Sequence, residues 1–115
     1  MGAQEFTTPV KVPKEASNEE AFRKAREEEA YENGHGGYTG TLAEKTSFVM
    51  VHHARSGANA KRMVEAMMGN WGSPIPIYRP EVEQIFDDKW GPAGAIRHPL
   101  DDKTDGVIFF GWASS

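Results

Sequence analysis

The sequence predicts an α+β fold, in which a mostly antiparallel sheet of four to five strands is covered by about three helices. The first observation behind this prediction is the order of the segments, which runs helix, two strands, helix, weak strand, helix and two strands. The second is the step Asp105-Gly106 directly before a β-rich run. Such a step is typical of a β-hairpin and therefore of antiparallel pairing.

The N-terminal residues 1–16 contain two prolines and no apolar periodicity. We expect them to form an extended or flexible arm outside the core. Val10 and Val12 could still pair as a short edge strand, which the neighbouring prolines would blunt. Residues 17–115 are expected to form a single α+β domain, because the chain is too short for two independent cores.

Helices are predicted in three places. Ser17 and Glu20 have the spacing of a capping box, which predicts a helix over residues 18–33. Methionine and valine on one helical face predict a second helix over residues 58–68. A proline followed by glutamate, typical of the first turn of a helix, predicts a third over residues 80–90.

Strands are predicted in five places. The second of them is apolar on both faces, which indicates a buried strand. The third contains two prolines and is therefore an edge strand or an extended crossover. In chain order the five segments are Thr41–Glu44, Thr46–His53, Ser73–Tyr78, Ala93–His98 and Val107–Ala113.

The charge is unevenly distributed along the chain. Residues 35–79 hold five basic and two acidic side chains, whereas the whole chain has a net charge of −4. A negative chain without a dense basic stripe does not favour nucleic-acid binding. The apolar runs are shorter than the roughly 18–20 residues of a membrane-spanning helix, so no membrane partner is expected.

Several catalytic and metal-binding patterns are absent from the sequence. The chain has no cysteine, which excludes disulfides, thiolate metal sites and a thiol nucleophile. It also has no Walker loop, no Gly-x-Ser-x-Gly elbow and no His-Glu-x-x-His helix. His52 and His53 are neighbours on a strand and point to opposite faces, so they cannot easily share a metal. We therefore expect neither a metal nor a cofactor.

A glycine-rich segment, residues 34–41, is the first candidate site. It holds more glycine than a helix-to-strand connection needs, which predicts close approach of a ligand or of another part of the chain. An aromatic and a titratable side chain lie among the glycines. The alternative is a tight turn with Tyr38 folded into the core. The candidate ligand-binding residues here are His35, Gly36, Gly37, Tyr38 and Thr39.

The strand-to-helix loop 52–57 is the second candidate site. The first amides of a helix lack internal partners and attract anions, and Arg55 adds a guanidinium suited to phosphate or carboxylate. Ser56 either caps the helix or donates to the same anion. His53 and Lys45, the latter near a predicted turn, complete the candidate set. The alternative is a simple connection with a solvated arginine.

Three stretches of the sequence, 34–45, 89–94 and 109–113, resemble a pattern in small bacteriophage-type proteins without a defined activity. The resemblance covers about residues 30–113. It implies a small accessory protein and supplies no catalytic residue. We expect a soluble protein of the cytoplasm, which is the host cytoplasm if the chain is phage-encoded.

Our leading functional prediction is a small non-enzymatic binding or regulatory accessory protein. It would engage a protein or an anionic ligand, such as a phosphate-bearing small molecule, through residues 34–41 and 52–57. The aromatic residues of the C-terminal strand are expected either to pack in the core or to form a dimer contact, so a homodimer is one of the expected assemblies. The alternative is a small enzyme acting on a phosphorylated or nucleotide substrate. That enzyme would use His35, Tyr38, His53 and Arg55, which supply acid/base, phenol and cationic groups.

Overall fold

The computed structural model describes residues 3–33, 45–69 and 92–114, which form a four-stranded sheet with one helix packed on each face. This arrangement confirms the α+β class. The strands and helices in chain order are β1 (Ala3–Pro13), α1 (Asn18–Asn33), β2 (Phe48–His53), α2 (Gly57–Gly69), β3 (Ala93–Pro99) and β4 (Thr104–Ser114).

The sheet is mixed, so our expectation of a mostly antiparallel sheet was wrong. Its strand order is β1-β4-β3-β2, and β4 is antiparallel to both β1 and β3. In contrast, β2 and β3 are parallel neighbours. The chain leaves the end of β2 through α2 before it enters β3, and a connection of this length is what parallel pairing requires.

Two of the three predicted helices are confirmed. The first has the predicted bounds, and Ser17 Oγ accepts a hydrogen bond from the backbone amide of Glu20 at 3.1 Å, as expected for its N-cap. The second corresponds to α2. The helix predicted over residues 80–90 and the strands predicted over 41–44 and 73–78 lie outside the described residues, which contain two helices.

We expected the N-terminal segment to be an arm with at most a short edge strand. It instead contains the 11-residue strand β1. Phe6, Val10 and Val12 are buried in the core on the side of α1, although we had expected this segment outside the core. The reason lies at the other end of the chain, because every residue of β1 is paired with β4. Lys24 of α1 also donates a hydrogen bond to the backbone oxygen of Lys11 at 2.7 Å.

Each face of the sheet has its own apolar core, and the two neighbouring phenylalanines of β4 divide between them. Phe109 lies under α1, with its ring centroid 5.4 Å from that of Phe22. Phe110 belongs to the cluster under α2. Both phenylalanines have 0% exposure. Successive side chains of a strand point to opposite faces of the sheet, so both phenylalanines can be buried only because a helix covers each face.

The β3–β4 hairpin is confirmed near the predicted Asp-rich turn. Asp101 Oδ1 accepts hydrogen bonds from the backbone amides of Lys103 and Thr104 at 2.8 and 2.9 Å. These hydrogen bonds lower the pKa of the Asp101 carboxyl, and the bond from the amide of Lys103 has the largest effect. The hairpin is thus held by a local side-chain-to-backbone turn. No helix among the described residues is long and apolar enough to span a membrane.

Candidate functional site

A small cavity lies at the carboxyl ends of the parallel strands β2 and β3, where the loop to α2 begins. Ligands commonly bind outside the carboxyl ends of parallel strands, because the following loops and helix starts converge there. The cavity measures about 170 Å³. The residues that line it are His53, Ala54, Arg97, His98, Pro99 and Asp105.

Strand pairing positions the loop at one wall of this cavity. The β2–β3 register shifts between Met50 and His52, after which His53 is paired with Arg97. The next amide, that of Ala54, donates to the backbone oxygen of Arg97 at 2.8 Å. The chain is therefore held against β3 until it turns into α2.

The start of α2 is capped by the predicted serine. Ser56 Oγ accepts a hydrogen bond from the backbone amide of Asn59 at 3.2 Å. This favours the capping interpretation of Ser56 over direct ligand binding. The amides of Gly57 and Ala58 occupy the first helical positions, where an amide has no partner within the helix. Such amides can donate to an anion.

His98 forms another wall of the cavity and is buried, with 8% exposure. Its ring lies against two glycines. A Cβ atom placed on Gly106 would lie 2.5 Å from Cε1 and Nε2 of the ring, and one on Gly57 would lie 3.3 Å from Cε1. His98 Nδ1 lies 3.1 Å from the backbone oxygen of Pro99. The glycines thus make room for an imidazole beside the first residue of α2.

Arg97 is also buried, but its guanidinium is occupied by the protein itself. Nε donates to Asp105 Oδ2 at 2.9 Å, and NH1 donates to the backbone oxygen of Ala16 at 3.0 Å and to Asn18 Oδ1 at 2.9 Å. NH2 donates to the backbone oxygen of Lys14 at 3.1 Å. These bonds use four of its five N–H groups. Arg97 therefore joins β3 to the turn before α1.

Asp105 is the acidic group of the cavity, and two cations compensate its charge. Lys14 Nζ lies 2.7 Å from its Oδ1, and Arg97 binds its other oxygen. Partial burial raises the pKa of Asp105, but the hydrogen bonds from Lys14 and Arg97 outweigh it and hold the pKa below its ordinary value. The carboxylate is thus ionised at neutral pH and already neutralised by its partners.

The structure brings only part of the predicted site together. His53 lines the cavity, whereas Arg55 is exposed and is not among the lining residues. Lys45 is buried, with 3% exposure, and its Nζ lies 6.0 Å from the centroid of the Phe6 ring. The glycine-rich residues His35, Gly36, Gly37, Tyr38 and Thr39 lie outside the described residues.

His98 lines the cavity but is not among the residues predicted from the sequence. The available signal was weak, since His98 is one histidine in a predicted strand and its partner Gly106 is eight positions later. Once the hairpin is folded, that pairing places the glycine opposite the ring. No cluster of three or more metal-ligating side chains occurs within residues 3–33, 45–69 and 92–114.

A larger cavity of about 520 Å³ lies between α2 and the strands β1 and β4. Its walls are mainly apolar, with Val64, Met68 and Ile108 among them. Its charged residues, Lys61 and Glu65, are both exposed. The smaller cavity is the better candidate for polar chemistry, because buried and titratable groups converge there.

Comparisons with family models, with curated proteins and with solved structures gave no match to this chain. The resemblance to bacteriophage-type proteins therefore stays a prediction.

Proposed function

We propose that this protein is a small binding protein without catalytic activity that holds an anionic group in the cavity at the carboxyl ends of β2 and β3. The observation that carries the proposal is that two histidines, His53 and His98, line one cavity and that the His98 ring lies against Gly57, the first residue of α2. No acidic side chain lies in that turn. The amides of that turn favour negative charge beside the His98 ring.

The size of the cavity indicates what kind of group it holds. Pockets that enclose a whole small molecule measure roughly 300–1,000 Å³, so about 170 Å³ suits a head group and not an entire nucleotide. We therefore propose a phosphate group, carried by a small molecule or by a protein partner in the cytoplasm. The segment 34–41 remains part of the proposed interface as a prediction from the sequence.

The alternative of an enzyme acting on a phosphorylated substrate has less support from the described residues. Two of its four groups, His35 and Tyr38, lie outside them. Of the other two, His53 lines the cavity and Arg55 does not. Binding requires no alignment of an acid/base pair with a reacting atom, whereas catalysis does. We therefore prefer the binding function.

The proposed function can be tested by thermal unfolding of the full chain in inorganic phosphate and in chloride at equal ionic strength. Phosphate at about ten times its Kd should stabilise the protein by ~1.4 kcal/mol, which corresponds to several degrees in Tm. Ala58→Asp should abolish the stabilisation by phosphate, because a carboxylate in the first turn of α2 competes with the anion. The same carboxylate should not destabilise the helix, since negative charge is favourable at a helix N-terminus.

The matched control is Ala58→Asn, which has a similar shape and no charge. Ala58 is exposed, so neither side chain should disturb the core. The control should keep the stabilisation by phosphate. An equal phosphate effect on wild type and Ala58→Asp would contradict the proposed location, and no effect on wild type would contradict anion binding.

A further inference from the structure

The strand β1 is at one edge of the sheet that the described residues form. The backbone amide of Lys14 donates to the oxygen of Lys103 at 3.0 Å, in continuation of the β1–β4 register. Because the backbone groups of a strand point alternately to its two sides, the even-numbered residues of β1 bond to β4 and the odd-numbered residues point outward.

The second half of this edge, residues 9–13, is closed to another strand. Pro9 and Pro13 have no N–H to donate. The outward oxygen of Lys11 accepts a hydrogen bond from Lys24 Nζ at 2.7 Å, and that of Pro13 accepts one from the amide of Ala16 at 3.0 Å. Proline and lysine on an edge strand oppose pairing with a further strand.

The first half of the edge, residues 3–7, is open. Glu5 and Thr7 each direct an N–H and a carbonyl oxygen outward, and no group within the described ranges bonds to them there. An extended peptide pairs with an edge strand through backbone groups of this kind.

The open half lies beside the larger cavity. Phe6 is buried under α1, whereas Thr7 is exposed, so the Thr7 side chain points to the opposite face, on which α2 packs. Thr7 also lines the cavity of about 520 Å³ between α2 and the strands β1 and β4. Residues directly opposite each other on paired strands point to the same face. A peptide residue opposite Thr7 would therefore direct its side chain towards this cavity.

The walls of the cavity suit an apolar side chain. Val64, Met68 and Ile108 are buried residues in these walls. The charged residues Lys61 and Glu65 have opposite signs, so together they favour neither an anionic nor a cationic occupant. The complementary segment is thus uncharged.

We propose that the first half of β1 is a docking edge for an extended, uncharged peptide segment of a partner protein. The segment adds as a further strand beside Glu5 and Thr7 and places an apolar side chain in the cavity. Thr7 is paired with Phe110, whereas Asp105 of the smaller cavity is paired with Val12. The docking edge and the proposed anion site are therefore at different ends of the sheet, and either proposal can fail without the other.

The probe is a blocked pentapeptide of threonine with leucine at its centre, titrated into the isotopically labelled full chain and followed by NMR. The amide signals of Glu5 and Thr7 should move and saturate, while that of Lys11 in the closed half should not. Replacement of the peptide's leucine by aspartate should weaken binding about tenfold or more, because burial of the leucine is lost.

A substitution at Thr7 tests the backbone pairing itself. Thr7→Pro removes an outward N–H without removing a bond to β4, as Pro9 already does, so the fold should persist. Its affinity for the leucine peptide should fall about fivefold or more. Thr7→Val keeps the N–H and the β-branched shape, and this matched control should bind like wild type.

The outcomes that would overturn the proposal differ in their meaning. Equal affinity of the two variants, or no saturable shift at Glu5 and Thr7, would show that no peptide pairs with this edge. Slow hydrogen exchange of these two amides in the free monomer would show that the chain itself covers the edge. A dimer of the free protein that Thr7→Pro dissociates would identify a second copy as the occupant.

Discussion

Arg97 Nε donates a hydrogen bond to Asp105 Oδ2 at 2.9 Å, and this contact joins the two strands of the β3–β4 hairpin. The same guanidinium donates to Ala16 and Asn18, at the start of α1. A single side chain therefore connects the hairpin, the turn after β1 and the first helix. The wall of the cavity formed by β3 depends on this connection.

Replacement of Arg97 by methionine should strongly destabilise the fold. It leaves Asp105 with Lys14 alone and removes donors from three other acceptors. Breaking a buried ion pair in this way costs about 3–5 kcal/mol. Urea unfolding measures the loss, with Arg23→Met on the exposed face of α1 as the control, for which we expect about 0.5 kcal/mol or less. Equal stability of the two variants would show that Arg97 does not hold these elements together.

Acid should remove the contribution of Asp105. The folded-state pKa of Asp105 lies below its unfolded value, so its stabilisation is fully present above the unfolded pKa of about 3.9. It is lost as pH falls through the lower folded value. The free energies of unfolding of wild type and Asp105→Asn should thus differ at neutral pH and converge below about pH 4. A difference that stays constant down to about pH 3 would contradict the assigned pKa direction.

Substitution of Gly106 by alanine should disturb the ring of His98. The added Cβ would lie 2.5 Å from Cε1 and Nε2, which forces the ring or the strand to move. Such overpacking costs about 1–3 kcal/mol. Gly57→Ala brings a Cβ only to 3.3 Å and should cost less.

A double-mutant cycle shows whether the ring is the cause. His98→Ala removes the clashing atoms, so Gly106→Ala should cost much less stability in that background. Additive effects of the two substitutions would mean that the destabilisation comes from the strand backbone and not from the ring.

The sequence correctly predicted those elements that are determined by residues only a few positions apart. The Ser17 capping box predicted α1, and the Asp-rich stretch 101–106 predicted the hairpin, although Asp105 and Gly106 themselves lie in β4, paired with Pro99 and His98. The loop from β2 to α2 was likewise predicted by a strand pattern followed by a helix pattern. In each case the interacting residues are a few positions apart, so their chemistry is visible in a short window.

The features of the fold that were predicted wrongly, or not at all, depend on contacts between residues that are far apart in the sequence. The parallel pairing of β2 with β3 follows from the path through α2, and the full length of β1 follows from its pairing with β4. The burial of Arg97 needs acceptors that lie 79 and 81 positions away. No short window of the sequence contains such pairs, and the packing of the His98 ring against Gly106 similarly appears only after the strands are in register.

The most direct test of the account is a sulfate titration of the isotopically labelled full chain near pH 6, followed by the backbone amide signals in NMR. The proposed function places the anion beside His98 and the first turn of α2, so the amide signals of Gly57, Ala58 and His98 should move together and saturate with one affinity. The exposed cations Lys61 and Arg62 provide the internal comparison, since nonspecific ionic binding would act there. Saturable shifts centred on the first turn of α2 and on His98 are the predicted result. Shifts confined to Lys61 and Arg62, or no saturable shift at all, would contradict an anion site at the carboxyl ends of β2 and β3.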